Sequence, residues 1–213
     1  MRSVLCFGDS NTHGTRAMRR IGDRERFARD ARWPGVMAAA LGPAWHVVEE
    51  GHPGRTAVFD DPIDGAHKNG LAVLPALLES HRPLDLVIVM LGTNDLKARF
   101  GVPASDIALG LERVAKAIRQ SDAGPNLASP ATLLVAPVPV EEIGPFAQMF
   151  EGASVKSKAL ARPLADAAER QGCAFLDLAP VARVDPADGI HLDADGQRAV
   201  GVAMAEKVIA LMG

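Results

Sequence analysis

The chain has no tyrosine and only two tryptophans and two cysteines, and aromatic residues fill 4% of its 213 positions. Without tyrosine, no mechanism that uses a phenol as acid or nucleophile is open to it. Cys6 and Cys173 each fall in an apolar, strand-like run and are expected as buried free thiols rather than a disulfide. No apolar run approaches the roughly 18 residues of a membrane span. Met1-Arg2-Ser3 lead straight into a strand pattern, with no separate signal-peptide core, so cytoplasmic residence is expected. A formal net charge of −3 gives no general attraction to nucleic acid or to an anionic membrane, and neither is expected as a partner.

What is present suits one domain over residues 1–213, with 48% hydrophobic and 23% charged residues, an ordinary globular balance. Short β-rich runs are read at Val4–Phe7, His46–Glu49, Leu84–Leu91, Thr132–Ala136 and Ala174–Leu178. The run Leu86 to Leu91 is apolar on both faces, as a central parallel strand covered by helices must be. Helical patterns lie between the strands, at Pro34–Leu41, Asn69–His81, Ser105–Gln120, Val155–Gln171 and Ala194–Met212. Pro75 and Pro163 mark expected breaks or kinks, and Asp193 or Asp195 offers an N-cap to the last helix. Five alternations of strand and helix predict an α/β fold, a three-layer α/β/α sandwich around a five-stranded parallel sheet.

Two connections are long. Residues 15–32, "TRAMRRIGDRERFARDAR", carry seven arginines beside Asp23, Glu25 and Asp30. They read as an internally paired surface loop, with an oligomer contact or an anionic-substrate rim as alternatives. Residues 137–153, "PVPVEEIGPFAQMFEGA", place Phe146, Met149 and Phe150 in a loop, where they suit a pocket wall, a subunit contact or plain core packing.

Ligands of open parallel sheets bind beyond the carboxyl ends of the strands. There the sequence gathers Gly8-Asp9-Ser10-Asn11 after the first strand, Gly51 to Thr56 after the second and Gly92-Thr93-Asn94-Asp95 after the third. Asp188-Gly189-Ile190-His191 follows the fifth. These are the parts of acyl transfer. Ser10 is a weak nucleophile until a base removes its proton, and His191 can be that base, as histidine most often is in enzymes. Asp188 can fix the imidazole tautomer. The N–H groups of Ser10 and Gly54 and the amide of Asn94 can meet an oxyanion. Asp95 reads as loop support, and Gly51 competes with Gly54. His13 is read as pocket-lining.

The blocks "FGDSNTHG", "GHPGRT", "LGTND" and "DGIH" together resemble the SGNH (GDSL-type) hydrolases, in the family's order. The resemblance implies Ser10 as nucleophile, Asp188 and His191 completing a triad, and Gly54 and Asn94 in the oxyanion hole. It also implies the flavodoxin-like SGNH hydrolase fold, with neither metal nor cofactor. "VVEEGHPGRT", "LDLVIVMLGTNDLKARF", "DIALG" and "FEGA" resemble the bacterial arylesterase and acyltransferase branch. That branch implies short acyl chains and a homo-oligomer. His13 and Thr15 stand where acyltransferase members carry tryptophans, which favours deacylation by water.

The expected activity is therefore that of a serine esterase on small aryl or short-chain carboxylic esters, with some transfer to alcohols or peroxide. Deacetylation of a sugar or another natural acetyl ester is the second reading. A non-catalytic binding module on a hydrolase fold is a third, of another class. The G-x-S-x-G elbow is absent, and no Gly-Lys-Ser/Thr follows "GDSNTHG" to make a phosphate loop. "DADG" is too short for a calcium loop.

Overall fold

In the computed structural model, which describes residues 1–213, the strand sequences pair as one parallel sheet. The strands are β1 (Arg2–Gly8), β2 (Trp45–Gly51), β3 (Leu86–Met90), β4 (Ala131–Ala136) and β5 (Ala174–Asp177), in the order β2-β1-β3-β4-β5. This is the flavodoxin-like order, and its switch point falls between β1 and β3. Val4 of β1 lies opposite Val47 of β2 and Leu86 of β3.

The pleat sends alternate residues to opposite faces, and β1 and β3 are apolar on both. On one face Val4, Cys6, Leu86 and Ile88 meet Trp33 and Met37 of α2 (Trp33–Leu41) and Val200, Met204 and Val208 of the C-terminal helix (Ala194–Met212). The two helices touch closely at Gly201, where an added Cβ would lie 2.6 Å from Val36 Cβ and 2.8 Å from the Trp33 carbonyl oxygen. On the other face Leu5, Phe7, Val87 and Val89 meet Leu74, Ile107, Leu111, Val114 and Leu164. Those come from α3 (Gly70–His81), α4 (Ala104–Arg119) and a helix over Ala161–Gln171. Three layers result, as expected. No helix is long and apolar enough to cross a membrane.

Helix boundaries depart from expectation in two places. Pro75 lies inside α3 without ending it. The single helix expected over Val155–Gln171 is two, α5 (Ala153–Lys158) and α6 (Ala161–Gln171). Pro163 is the third residue of α6, where an N–H would have no intrahelical acceptor. The chain therefore breaks ahead of the proline rather than kinking at it. Both cysteines are free; Cys6 is buried in β1, whereas Cys173 precedes β5 and is only half-buried. The C-terminal helix, α7, is N-capped by Asp193, whose Oδ1 accepts from the Gly196 N–H at 2.7 Å.

Candidate active site

Gly8 ends β1, and Asp9 turns the chain into a single helical turn, α1 (Ser10–His13), by accepting the Asn11 N–H at 2.9 Å. Ser10 thus sits at the carboxyl edge of the sheet, at the switch point. Across from it, the segment after β5 carries Asp188 and His191. His191 Nε2 lies 3.0 Å from Ser10 Oγ, and His191 Nδ1 lies 2.6 Å from Asp188 Oδ2. Ser10 is 5% exposed, His191 4% and Asp188 0%.

Burial alone would raise the Asp188 carboxyl, but hydrogen bonds from the His191 ring, the His191 backbone and the Met18 backbone hold it below its ordinary value. A carboxylate with several donors stays ionised. Its Oδ1 accepts the N–H groups of Ile190 and His191, both at 3.0 Å. Its Oδ2 also accepts the Met18 N–H at 2.8 Å. The Arg-rich segment thus reaches the site through a backbone group, which no side-chain pattern could have announced.

Asn11 is a second residue whose role was not legible in the sequence. Its Nδ2 donates to the Ile190 carbonyl at 3.1 Å, and its Oδ1 accepts the Leu192 N–H at 3.0 Å. The two bonds bracket His191. Gln197 of α7 donates to the Asn11 carbonyl at 3.0 Å and accepts the Trp33 N–H at 2.9 Å.

On the other side of Ser10, Gly54 holds φ +83°, a conformation that glycine adopts without steric cost. Its N–H donates to no group of the chain, and Gly54 and Asn94 both line the cleft beside Ser10. Asn94 Nδ2 donates one proton to the Arg55 carbonyl at 3.1 Å, which leaves its second for the cleft. Arg55 is buried over the Phe7 ring and donates to the carbonyls of Gly8 and Glu50, tying the ends of β1 and β2. Asp95 is fully buried and receives the Ala57 N–H on both oxygens at 2.9 and 3.1 Å, so it braces the loop. Burial pushes Asp95 up to about 7 and Asp9 up to about 6, against the hydrogen bonds each accepts.

The cleft encloses about 220 Å³, less than the roughly 300–1,000 Å³ of a drug-sized pocket. Phe146, Met149 and Phe150 line it with Met18, Ile21 and Ile190; the Phe146 ring stands edge-on to His191 at 6.2 Å between centroids. Lys97 and Asp64 form its polar wall and pair at 2.9 Å.

His13 does not line the cleft, and that expectation is corrected. Its Nδ1 lies 2.9 Å from Thr15 Oγ1, and the Arg26 side chain donates to its carbonyl at 2.6 Å. The residue belongs to the base of the 15–32 segment. Much of that segment's charge is matched locally, Arg16 by Glu25 at 3.3 Å and Arg29 and Arg32 by Glu49 at 3.1 and 2.7 Å.

A flavodoxin-like parallel sheet with serine, histidine and aspartate hydrogen-bonded in line at its carboxyl edge defines a class, that of ester hydrolases. Within it, residues 6–199 match the model of the GDSL-like lipase/acylhydrolase family, and the chain belongs to that family. The structure superposes on that of an aryl esterase from M. smegmatis with a TM-score of 0.95 at 41% identity, all of each chain covered. Est24, a carbohydrate acetylesterase from Sinorhizobium meliloti, gives 0.95 at 40% identity, again over the whole of both chains. A member of the lipolytic protein G-D-S-L family from Veillonella parvula, 14% identical, gives 0.64 with 100% of this chain and 98% of that chain covered. That last likeness bears on the fold alone. Among curated proteins none matches the chain.

Proposed function

We propose that the protein is a serine esterase, a single hydrolase domain over residues 1–213, acting on small aryl or short-chain carboxylic esters through an acyl-enzyme. One observation carries this reading: the unbroken line from Ser10 Oγ to His191 at 3.0 Å and on to Asp188 at 2.6 Å, opening on a small apolar cleft.

In the proposed reaction Ser10 Oγ attacks the ester carbonyl carbon while its proton passes to His191 Nε2. The carbonyl π electrons move to oxygen, met by the N–H groups of Ser10 and Gly54 and by Asn94 Nδ2. Collapse expels the alkoxide or phenoxide, which takes the proton from His191 and leaves Ser10 acylated. Water then repeats the sequence, giving up a proton to His191, and the acid departs as Ser10 regains its hydrogen. Asp188, ionised throughout, holds the imidazole and offsets its transient charge.

Steady-state hydrolysis of p-nitrophenyl acetate, butyrate and octanoate by the wild type and Ser10→Ala tests this. Activity that falls with chain length and vanishes with the substitution supports it; full activity in Ser10→Ala refutes it. Failure of folded wild type to react with a fluorophosphonate at Ser10 would instead favour a binding module.

The 40% identity to a carbohydrate acetylesterase and the charged Lys97–Asp64 wall favour a second reading, deacetylation of a sugar or other polar acetyl ester. Faster turnover of sugar acetates than of phenyl acetate would select it. Cytoplasmic residence and homo-oligomeric assembly belong to the proposal too. The free thiols support the first, and the largely exposed Ile63 and Val155 are apolar surface that the second would cover.

A further inference from the structure

The loop that carries Gly54 is met by a lysine that the reaction above does not use. Lys68 ends the 3-10 turn Ala66–Lys68. Its side chain runs back over Gly54: an added Cβ there would lie 3.2 Å from Lys68 Cε and 3.4 Å from Cδ. Lys68 Nζ donates to the Pro53 carbonyl at 2.9 Å and lies 3.1 Å from His52 Nε2. Burial and the neighbouring cations Lys68 and Arg55 push the His52 imidazole down to about 4. A neutral His52 therefore offers the ammonium an acceptor. The backbone of Lys68 is fastened to the same loop, since its carbonyl accepts the Thr56 N–H at 2.9 Å.

The Pro53 carbonyl and the Gly54 N–H are opposite ends of one peptide group. That group is planar, so whatever fixes its oxygen also fixes the direction of its N–H. A cation on the oxygen withdraws electron density along the amide and makes the N–H a stronger donor. The Arg55 N–H closes a turn on the His52 carbonyl at 3.0 Å, and with glycine at its third position the central Pro53–Gly54 peptide can face either way within that turn, so a bond to its oxygen selects one orientation.

We propose that Lys68 is a positioning residue of the oxyanion hole: its hydrogen bond to the Pro53 carbonyl aims and polarises the Gly54 N–H toward the tetrahedral oxyanion, with His52 steering the ammonium. The inference rests on the assignment of Gly54 to the oxyanion hole. It differs from a purely structural strut in one respect, because it acts when negative charge has developed on the substrate and little before.

The test uses Lys68→Met, Lys68→Arg and Asn94→Ala in the intact chain. The readouts are kcat and KM for p-nitrophenyl acetate, the affinity for phenylboronic acid, which adds to a serine as a tetrahedral anion, and the melting temperature. Removing a whole oxyanion donor costs roughly 100- to 1,000-fold. Loss of the group that aims one is expected to lower kcat by about tenfold, with KM within about twofold. Boronate affinity is expected to fall by a similar factor, and Lys68→Arg to recover most of both losses. Should Lys68→Met not fold, Lys68→Gln, which keeps a donor but no charge, is expected to give a smaller loss of the same kind. Unchanged kcat in Lys68→Met overturns the inference, as does a loss confined to KM or to melting temperature. Boronate affinity reduced in Asn94→Ala but intact in Lys68→Met removes the role of Lys68 alone. Boronate affinity intact in both removes the oxyanion-hole reading itself.

Discussion

Met18 and His191 converge on one oxygen of Asp188: the Met18 backbone N–H reaches Oδ2 at 2.8 Å and His191 Nδ1 at 2.6 Å. The carboxylate is thus held by two parts of the chain, and its charge and its direction are set together. Asp188→Asn keeps the shape but replaces one acceptor oxygen by a donor, which disfavours the tautomer that Ser10 needs. A loss of about 10³- to 10⁴-fold in kcat is expected, with little change in KM, read with p-nitrophenyl acetate.

Asn11→Ala opens the bracket around His191. It leaves the Ile190 carbonyl and the Leu192 N–H without their partners in a buried place, at about 1–3 kcal/mol each. Both melting temperature and kcat should drop while KM stays nearly constant. Unchanged kcat would mean that His191 is held adequately by Asp188 alone.

Asn94→Ala removes one proposed oxyanion donor and is expected to lower kcat by roughly 100-fold or more. Since Asn94 also donates to the Arg55 carbonyl, a melting curve should accompany the kinetics. A normal melt with slow turnover separates chemistry from loop support.

Asp95 and Asp9 give a pH dependence of stability whose sign is fixed by burial. Both carboxyls are raised in the folded chain, to about 7 and about 6, above the ~3.9 of an unperturbed aspartate. The native state therefore binds more protons than the unfolded state between about pH 4 and pH 7. Stability from these groups is present at the acid end of that window and is lost as pH rises through it. Burial also holds His13 and His52 down at about 4, and their contribution runs the other way below about pH 6.5, so the carboxyls are read by comparison: the melting temperature at pH 5 minus that at pH 8 should be lower in Asp95→Asn than in the wild type. An equal or larger difference in the variant would remove Asp95 as its source.

On the proposed function, the apolar wall of Phe146, Met149 and Phe150 limits the acyl chain. Phe146→Ala clears space beside His191 and is expected to raise the ratio of octanoate to acetate kcat/KM by about tenfold, the scale of one or two methylenes in an apolar pocket. A ratio that does not move would place the acyl chain elsewhere in the cleft.

How much of this could be read beforehand follows from where the information lies. The sheet was legible because Val4–Phe7 and Leu86–Leu91 are apolar on both faces, and a strand with no polar face has to be covered on both sides. Ser10, Asn94, Asp188 and His191 stood out because each follows a strand at the same edge. Asn11 carried no assigned role in the sequence, because its two bonds join segments 179 and 181 residues apart. Met18 was invisible because it acts through its backbone. The assignment of His13 to the pocket failed for a related reason: closeness to Ser10 in sequence says nothing about which way a side chain turns after a one-turn helix.

The 3.0 Å contact between Ser10 and His191 spans 181 residues, and α7, through Gln197, helps to hold the turn that carries the serine. The proposed nucleophile and base therefore meet only once β1 and the segment after β5 have packed into one fold. During synthesis the serine emerges long before its base exists. On the proposed mechanism, a growing chain that has not yet reached His191 cannot cut esters. Ester hydrolysis then serves as a direct readout of folding yield, more demanding than any spectroscopic signal from the sheet alone.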